Sequence, residues 1–152
     1  MQANRARDTQ PERTLRRALR EAGLGGYRLN WRKAPGRPDI SYPGRRVAIF
    51  VHGCYWHHCT RCHPHLPKSN PEFWARKFEL NRERDSRKRL QLEEIGWSVH
   101  EFWECDVRKC LDWVLARVVL SLESARHLGP GPRSVPSRVN GSRAVSAPSS
   151  RS

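Results

Sequence analysis

Val47-Ala48-Ile49-Phe50-Val51 is an uninterrupted run of β-branched, aromatic and small apolar residues. Five apolar residues in succession leave no polar face for water, so the run predicts a central strand covered on both sides. Just before it, Pro43-Gly44 predicts a turn, and Asp39 to Tyr42 a short strand that the turn folds back beside the central one. A further short strand is expected near Tyr27 to Asn30. At the amino-terminal end, Thr9-Gln10-Pro11-Glu12 has the form of a capping box with proline near the first helical position. Leu15, Ala18, Leu19 and Ala22 then recur at helical spacing until Gly23, which predicts a helix over about 10–22. Beyond the central run, Gly53 to Pro71 reads as loop, Glu72 to Glu94 as a long helix ending at Gly96, and Trp97 to Trp103 as a strand. Asp106 to about Arg126 places Val107, Leu111, Val114, Val118 and Leu122 three or four apart, which predicts one closing amphipathic helix. The order α-β-β-β-α-β-α defines an α/β sandwich.

A chain of 152 residues suits one domain with a hydrophobic core of its own and is too short for a two-domain enzyme. Lysine and arginine number 29 against 15 acids, a net charge of +14 that calls for a polyanionic partner, nucleic acid before an anionic membrane. No apolar run approaches the roughly 20 residues of a membrane span, so a soluble, cytoplasmic protein is expected. Residues 129–152 are rich in Gly, Pro, Ser and Arg, contain no acid and read as a disordered basic tail. Its four arginines account for four of the charges, leaving +10 on the domain at 1–128. Five cysteines in a reducing compartment do not make a disulfide framework.

Cys54, Cys59 and Cys62 fall within nine residues, and Cys105 stands at the end of the last predicted strand. Three local thiols plus a distant fourth are the spacing of a closed tetrahedral zinc site, in which His58, His63 or His65 can replace a thiol. A redox role for Cys59-x-x-Cys62 is disfavoured, because the pair does not follow a strand at a helix start. Cys110, on the apolar side of the closing helix, reads as a small core residue.

Gly36-Arg37-Pro38-Asp39 and the strand end at His52 are brought together by the hairpin, and His57 lies five residues on, past a glycine. An aspartate and two histidines around a divalent cation and a water can hydrolyse a phosphodiester: the cation stabilises charged oxygens, while the imidazoles activate water and protonate the leaving group. On the long helix, Trp74, Lys77, Phe78, Asn81 and Asp85 share one face, mixing apolar anchors with polar groups. Arg82, Arg84, Arg87, Lys88 and Arg89 read as the opposite, solvated side. Tyr55 and Trp56 beside the histidines are aromatics able to wedge between base steps or to shield the zinc loop.

Arg7-Asp8-Thr9-Gln10-Pro11-Glu12, Gly36-Arg37-Pro38-Asp39, Phe50-Val51-His52-Gly53-Cys54-Tyr55-Trp56-His57, Glu72-Phe73-Trp74, Asn81-x-x-Arg84-Asp85 and Gly96-Trp97 to Trp103-Glu104-Cys105 occur in this order. Together they resemble the Vsr family of very short patch repair DNA mismatch endonucleases, over about residues 1–126. That resemblance implies a restriction-endonuclease-like three-layer sandwich, a central mixed sheet flanked by helices, with a structural zinc loop. It also implies a monomeric, Mg²⁺-dependent enzyme that nicks double-stranded DNA on the 5′ side of the thymine in a T:G mismatch left by deaminated 5-methylcytosine. Mismatch-repair proteins are implied partners, and the nucleoid is the place of action.

By the same resemblance, Asp39 is the catalytic metal-binding acid and the backbone carbonyl of Val51 a second Mg²⁺ position. His52 and His57 are the active-site histidines, Asp85 orients His52, and Glu12 is a supporting acid. The usual superfamily acid-x-Lys after Pro-Asp is missing, so histidine chemistry substitutes for it. Tyr55 and Trp56 match aromatics that intercalate beside the mismatch, and Met1 a residue that inserts from the other groove. Lys77 and Asn81 match helix positions that approach the mismatched pair. The family's zinc ligands are Cys, His, Cys and a distant Cys. Here Cys59 stands at the His position and the next cysteine is displaced by one, so the implied set is Cys54, Cys59, Cys62 and Cys105, with His58 or His63 as substitutes.

Overall fold

The computed structural model describes residues 8–127, so the expectations for Met1 and for the tail at 129–152 lie outside it. Helix α1 (Gln10–Glu21) is followed by strands β1 (Arg28–Leu29) and β2 (Ile40–Tyr42), a 3-10 turn (Pro43–Arg45) and β3 (Val47–His52). Then come α2 (Pro71–Glu94), β4 (Ser98–Trp103), α3 (Glu104–Lys109) and α4 (Leu111–His127). The sheet order is β1-β2-β3-β4, antiparallel through β3 and parallel between β3 and β4, with His52 opposite Trp103. This is a mixed α/β fold with β3 between two partners, as its composition predicts.

Alternation along β3 divides its side chains between two cores. Val47 and Ile49 join Leu15 and Leu19 of α1, Ile40, Phe102, Val107 and the Val114, Val118, Leu122 face of α4. Ala48 and Phe50 join Ala34, Leu92 of α2, Trp31, Trp97 and Val99. Helices therefore cover both faces, and the apolar run needs no solvated side. Among the described residues, no helix is long and apolar enough to cross a membrane.

The helix caps differ in detail from the sequence reading. Thr9 accepts the Glu12 N–H, but the Glu12 carboxylate turns to the Asp8 N–H at 2.9 Å and the Thr9 hydroxyl at 3.0 Å. The predicted closing helix is two helices, broken at Cys110, whose φ of −134° and ψ of 42° leave the helical region. Cys110 N–H still bonds the Asp106 carbonyl at 2.8 Å, and its own carbonyl receives the Val114 N–H at 3.1 Å. The bend thus keeps both backbone groups of Cys110 paired and holds Val107 and Val114 on one core. It turns Cys110 out to solvent, which corrects its reading as a core residue.

One glycine bears on the site. Gly36 has φ of +73°, and a Cβ there would meet the Lys88 side chain at 2.7 Å, its own Cβ at 2.8 Å. Neither the backbone angle nor the approach of α2 tolerates a side chain. Gly36→Ala is expected to cost more than about 1 kcal/mol and to shift α2 near Lys88; denaturant unfolding against wild type checks this.

Candidate active site

The ends of β2 and β3, the start of α1 and the α2 face enclose a cleft of about 910 Å³. Glu12, Asp39, Val51, His52, His57, Trp56 and Lys88 are among its lining residues. Asp39 lies just before β2, where the hairpin sets it against the end of β3, and the Val51 N–H donates to its Oδ2 at 2.8 Å. Burial pushes the Asp39 carboxyl up to about 6, against that hydrogen bond and with the help of the Glu12 charge. Glu12 itself is buried in the first turn of α1.

His52 ends β3, and the tight turn after Gly53 returns His57 beside it, ring centroids 4.7 Å apart. Asp85 of α2 faces both. Its Oδ2 lies 2.7 Å from His57 Nδ1 and 3.8 Å from His52 Nδ1. The resemblance implies that Asp85 orients His52; here its closer partner is His57. His52 is instead held from its other nitrogen, Nε2, by Glu101 at 3.4 Å, and Arg89 holds Glu101 at 3.2 Å. Burial works against the Asp85 charge, but the two imidazoles win and hold its carboxyl low. The His52 hydrogen bond does the same for Glu101.

Two lining or supporting residues escaped the sequence reading. Lys88, assigned to the solvated side, lines the cleft and stands 3.9 Å from Asp85. Its position three residues after Asp85 continues the Trp74-to-Asp85 face, so the spacing held that signal. Glu101 is in phase with Val99 and Trp103 along β4, so it shares the α2-covered face with Val99 of the second core; an acid at such a strand position is the cue.

Cys54, Cys59, Cys62 and Cys105 present four sulfurs within 4.8 Å of one another. The Cys59 and Cys105 sulfurs are 3.7 Å apart. Thiolates about 2.3 Å from a tetrahedral zinc lie about 3.8 Å apart, so the donor set fits that ion. Backbone N–H groups of Arg61 and Cys105 point at the Cys59 and Cys54 sulfurs at 3.4 and 3.3 Å, which steadies thiolate charge. His58 stacks on Phe78 instead, 5.2 Å between centroids, and neither it nor His63 is in the cluster. Arg61 pins the loop to α3 through buried Asp106 at 2.7 Å.

The loop carries Tyr55 and Trp56 at its tip, both more than one third exposed. They pack edge-on to each other and toward Trp74 of α2. Lys77 sits over Trp56 and Trp74 at 5.5 and 5.2 Å, and Asn81 Nδ2 donates to the Trp56 carbonyl at 3.1 Å. The face predicted on α2 therefore supports the loop tip with its upper residues and the histidines with Asp85.

A buried acid, paired imidazoles and exposed aromatics on a strongly basic α/β chain are the equipment of a nucleic-acid hydrolase. Residues 1–63 match the family model described as DNA mismatch endonuclease Vsr. Type II nicking enzyme V.XorIIP of Xanthomonas oryzae pv. oryzae is 44% identical over 108 residues, 70% of this chain and 78% of that protein. DNA mismatch endonuclease Vsr of Escherichia coli is 41% identical over 108 residues, 71% and 69% of the two chains. Type II nicking enzyme V.NaeI of Lentzea aerocolonigenes is 37% identical over 132 residues, 84% and 76%. The class is thus a DNA-nicking endonuclease, a hydrolase acting on DNA. The chain belongs to the Vsr family, and its relatives carry mismatch and type II nicking names at similar identity.

Proposed function

We propose that the enzyme nicks duplex DNA on the 5′ side of the thymine in a T:G mismatch, in a Mg²⁺-dependent hydrolysis carried by one restriction-endonuclease-like domain at 1–128, acting as a monomer. The observation that carries the reading is the cleft in which half-buried Asp39, beside buried Glu12, faces a wall made by His52 and His57. Asp39 and the backbone carbonyl of Val51 would hold the cation. Their hard oxygen donors, and a desolvation of Asp39 that the Val51 N–H offsets only in part, suit Mg²⁺, which when bound supplies Lewis-acid stabilisation of the scissile phosphate.

The chain's own residues do the rest. His52 and His57 divide water activation and leaving-group protonation between them, with Asp85 holding His57 and Glu101 holding His52. Glu12 adds negative charge beside Asp39. Tyr55 and Trp56 wedge at the mismatch, where poorer stacking lowers the cost of opening the step. Lys77 and Asn81 stand behind them, toward the displaced base edges. Zinc at the four cysteines has no vacant position for water and serves to fix the loop that carries Trp56 and His57.

A second reading, a nicking enzyme without mismatch preference, is favoured by the type II names among the relatives. Trp56→Ala separates the two. If Trp56 reads the mismatch, its loss should cut the T:G to matched-duplex ratio of kcat/KM by about 5- to 150-fold, the worth of roughly 1–3 kcal/mol of stacking. Equal losses on both duplexes would favour the second reading.

A further inference from the structure

We propose that His52, His57 and Asp85 form a second metal site, selective for imidazole-preferring divalent ions such as Zn²⁺ or Co²⁺, whose occupation switches the nuclease off. Binding at this site stands on geometry alone; the inhibition rests on the catalytic roles proposed for the two histidines.

One ring nitrogen of each histidine and a carboxylate oxygen of Asp85 lie within 4.8 Å of one another, and Asp85 Oδ2 faces Nδ1 of both rings. Ligand atoms about 2.0–2.1 Å from a zinc ion sit about 3.0–3.4 Å apart. The observed separations from Asp85 Oδ2, 2.7 Å to His57 and 3.8 Å to His52, straddle that spacing, so small side-chain rotations suffice. His57 Nδ1 is buried and faces Asp85 Oδ2 directly, so an ion bound there takes the place of a proton between the two.

The surroundings of His52 match what a metal-bound imidazole needs. Glu101 contacts Nε2, which places the ring proton on that nitrogen and leaves Nδ1 free to donate electrons; Arg89 in turn holds Glu101. A carboxylate behind a histidine is the usual outer support of such ligands. Two imidazoles and one carboxylate favour borderline ions over Mg²⁺, which takes oxygen donors. The set is therefore chemically distinct from Asp39, and three protein ligands leave a position open to solvent. Lys88, 3.9 Å from Asp85, is the cation that an incoming ion would displace.

The test is a calorimetric titration of Co²⁺ into the full chain with zinc already in the cysteine site, and Mg²⁺-supported nicking followed in parallel. One further equivalent should bind, without thiolate charge-transfer absorption, and nicking should fall with its occupancy. Asp85→Asn and His57→Ala should lose that equivalent while Asp39→Asn keeps it, and Glu101→Gln should weaken it by about tenfold or more. No further equivalent, or one that survives both Asp85→Asn and His57→Ala, overturns the proposal. Circular dichroism of each variant establishes that it is folded. The assignment of Asp39 to Mg²⁺ chemistry fails separately, if Asp39→Asn still nicks with Mg²⁺.

Discussion

Asp39→Ala is expected to lower the nicking rate by about a thousandfold or more while leaving duplex affinity within about tenfold. The carboxylate is the oxygen donor proposed for the cation, and a Lewis acid held there would contribute several kcal/mol to the transition state, with every ~1.4 kcal/mol worth a factor of ten. DNA affinity comes mainly from phosphate contacts by the basic surface, which the substitution leaves alone. Folding stability should not follow activity downward. A carboxyl raised from 3.8 to about 6 in the folded chain keeps its proton longer than when unfolded. Its effect on folding therefore turns unfavourable as pH rises through that window, and at pH 8 in EDTA the variant should melt no lower than wild type. Single-turnover nicking, filter binding and melting on one preparation check all three. An inactive variant that also melts far lower would make Asp39 a structural residue.

Cys105→Ser has a large effect of a different kind. Cys105 lies in the first turn of α3, and its sulfur is the one member of the four-cysteine cluster outside the 54–62 loop, which it ties to the end of β4. Without it the three remaining thiols hold zinc poorly, and the loop loses the cross-link that positions Trp56 and His57. Zinc content is expected to fall from one equivalent to near zero and stability by on the order of 4–5 kcal/mol. For a domain of this size that lowers the melting temperature by roughly 10 °C or more. Atomic absorption after gel filtration, with thermal unfolding, checks both. The exposed Cys110→Ser is the control and should change neither.

Most of the architecture was legible because the decisive signals are local. A short apolar run rich in β-branched and aromatic residues and preceded by Pro-Gly suits a covered strand, and Val47–His52 lies between two strands with helices over both faces. The capping threonine and Gly23 bracket α1 within a residue or so of its bounds. The break at Cys110 was not legible, because the i+3/i+4 pattern of Val107, Leu111 and Val114 continues through a bend at which Cys110 keeps both its backbone hydrogen bonds. At the site, the spacing of Cys54, Cys59 and Cys62 marked the cysteine cluster, and family resemblance joined Asp39 to the histidines. Which imidazole Asp85 meets depends on the rotation of α2 over the sheet, a tertiary detail of about an ångström that spacing does not encode. Glu101 was missed for the same reason: its partner, His52, is 49 residues away on a parallel strand.

The most direct test is strand nicking of an end-labelled duplex carrying one T:G mismatch, CTWGG opposite CCWGG, with Mg²⁺ or EDTA, beside its fully matched counterpart. A single Mg²⁺-dependent nick immediately 5′ of the mismatched thymine is expected, with little or no cleavage of the matched duplex. Equal cleavage of the two duplexes, or cleavage that persists in EDTA, would contradict that expectation.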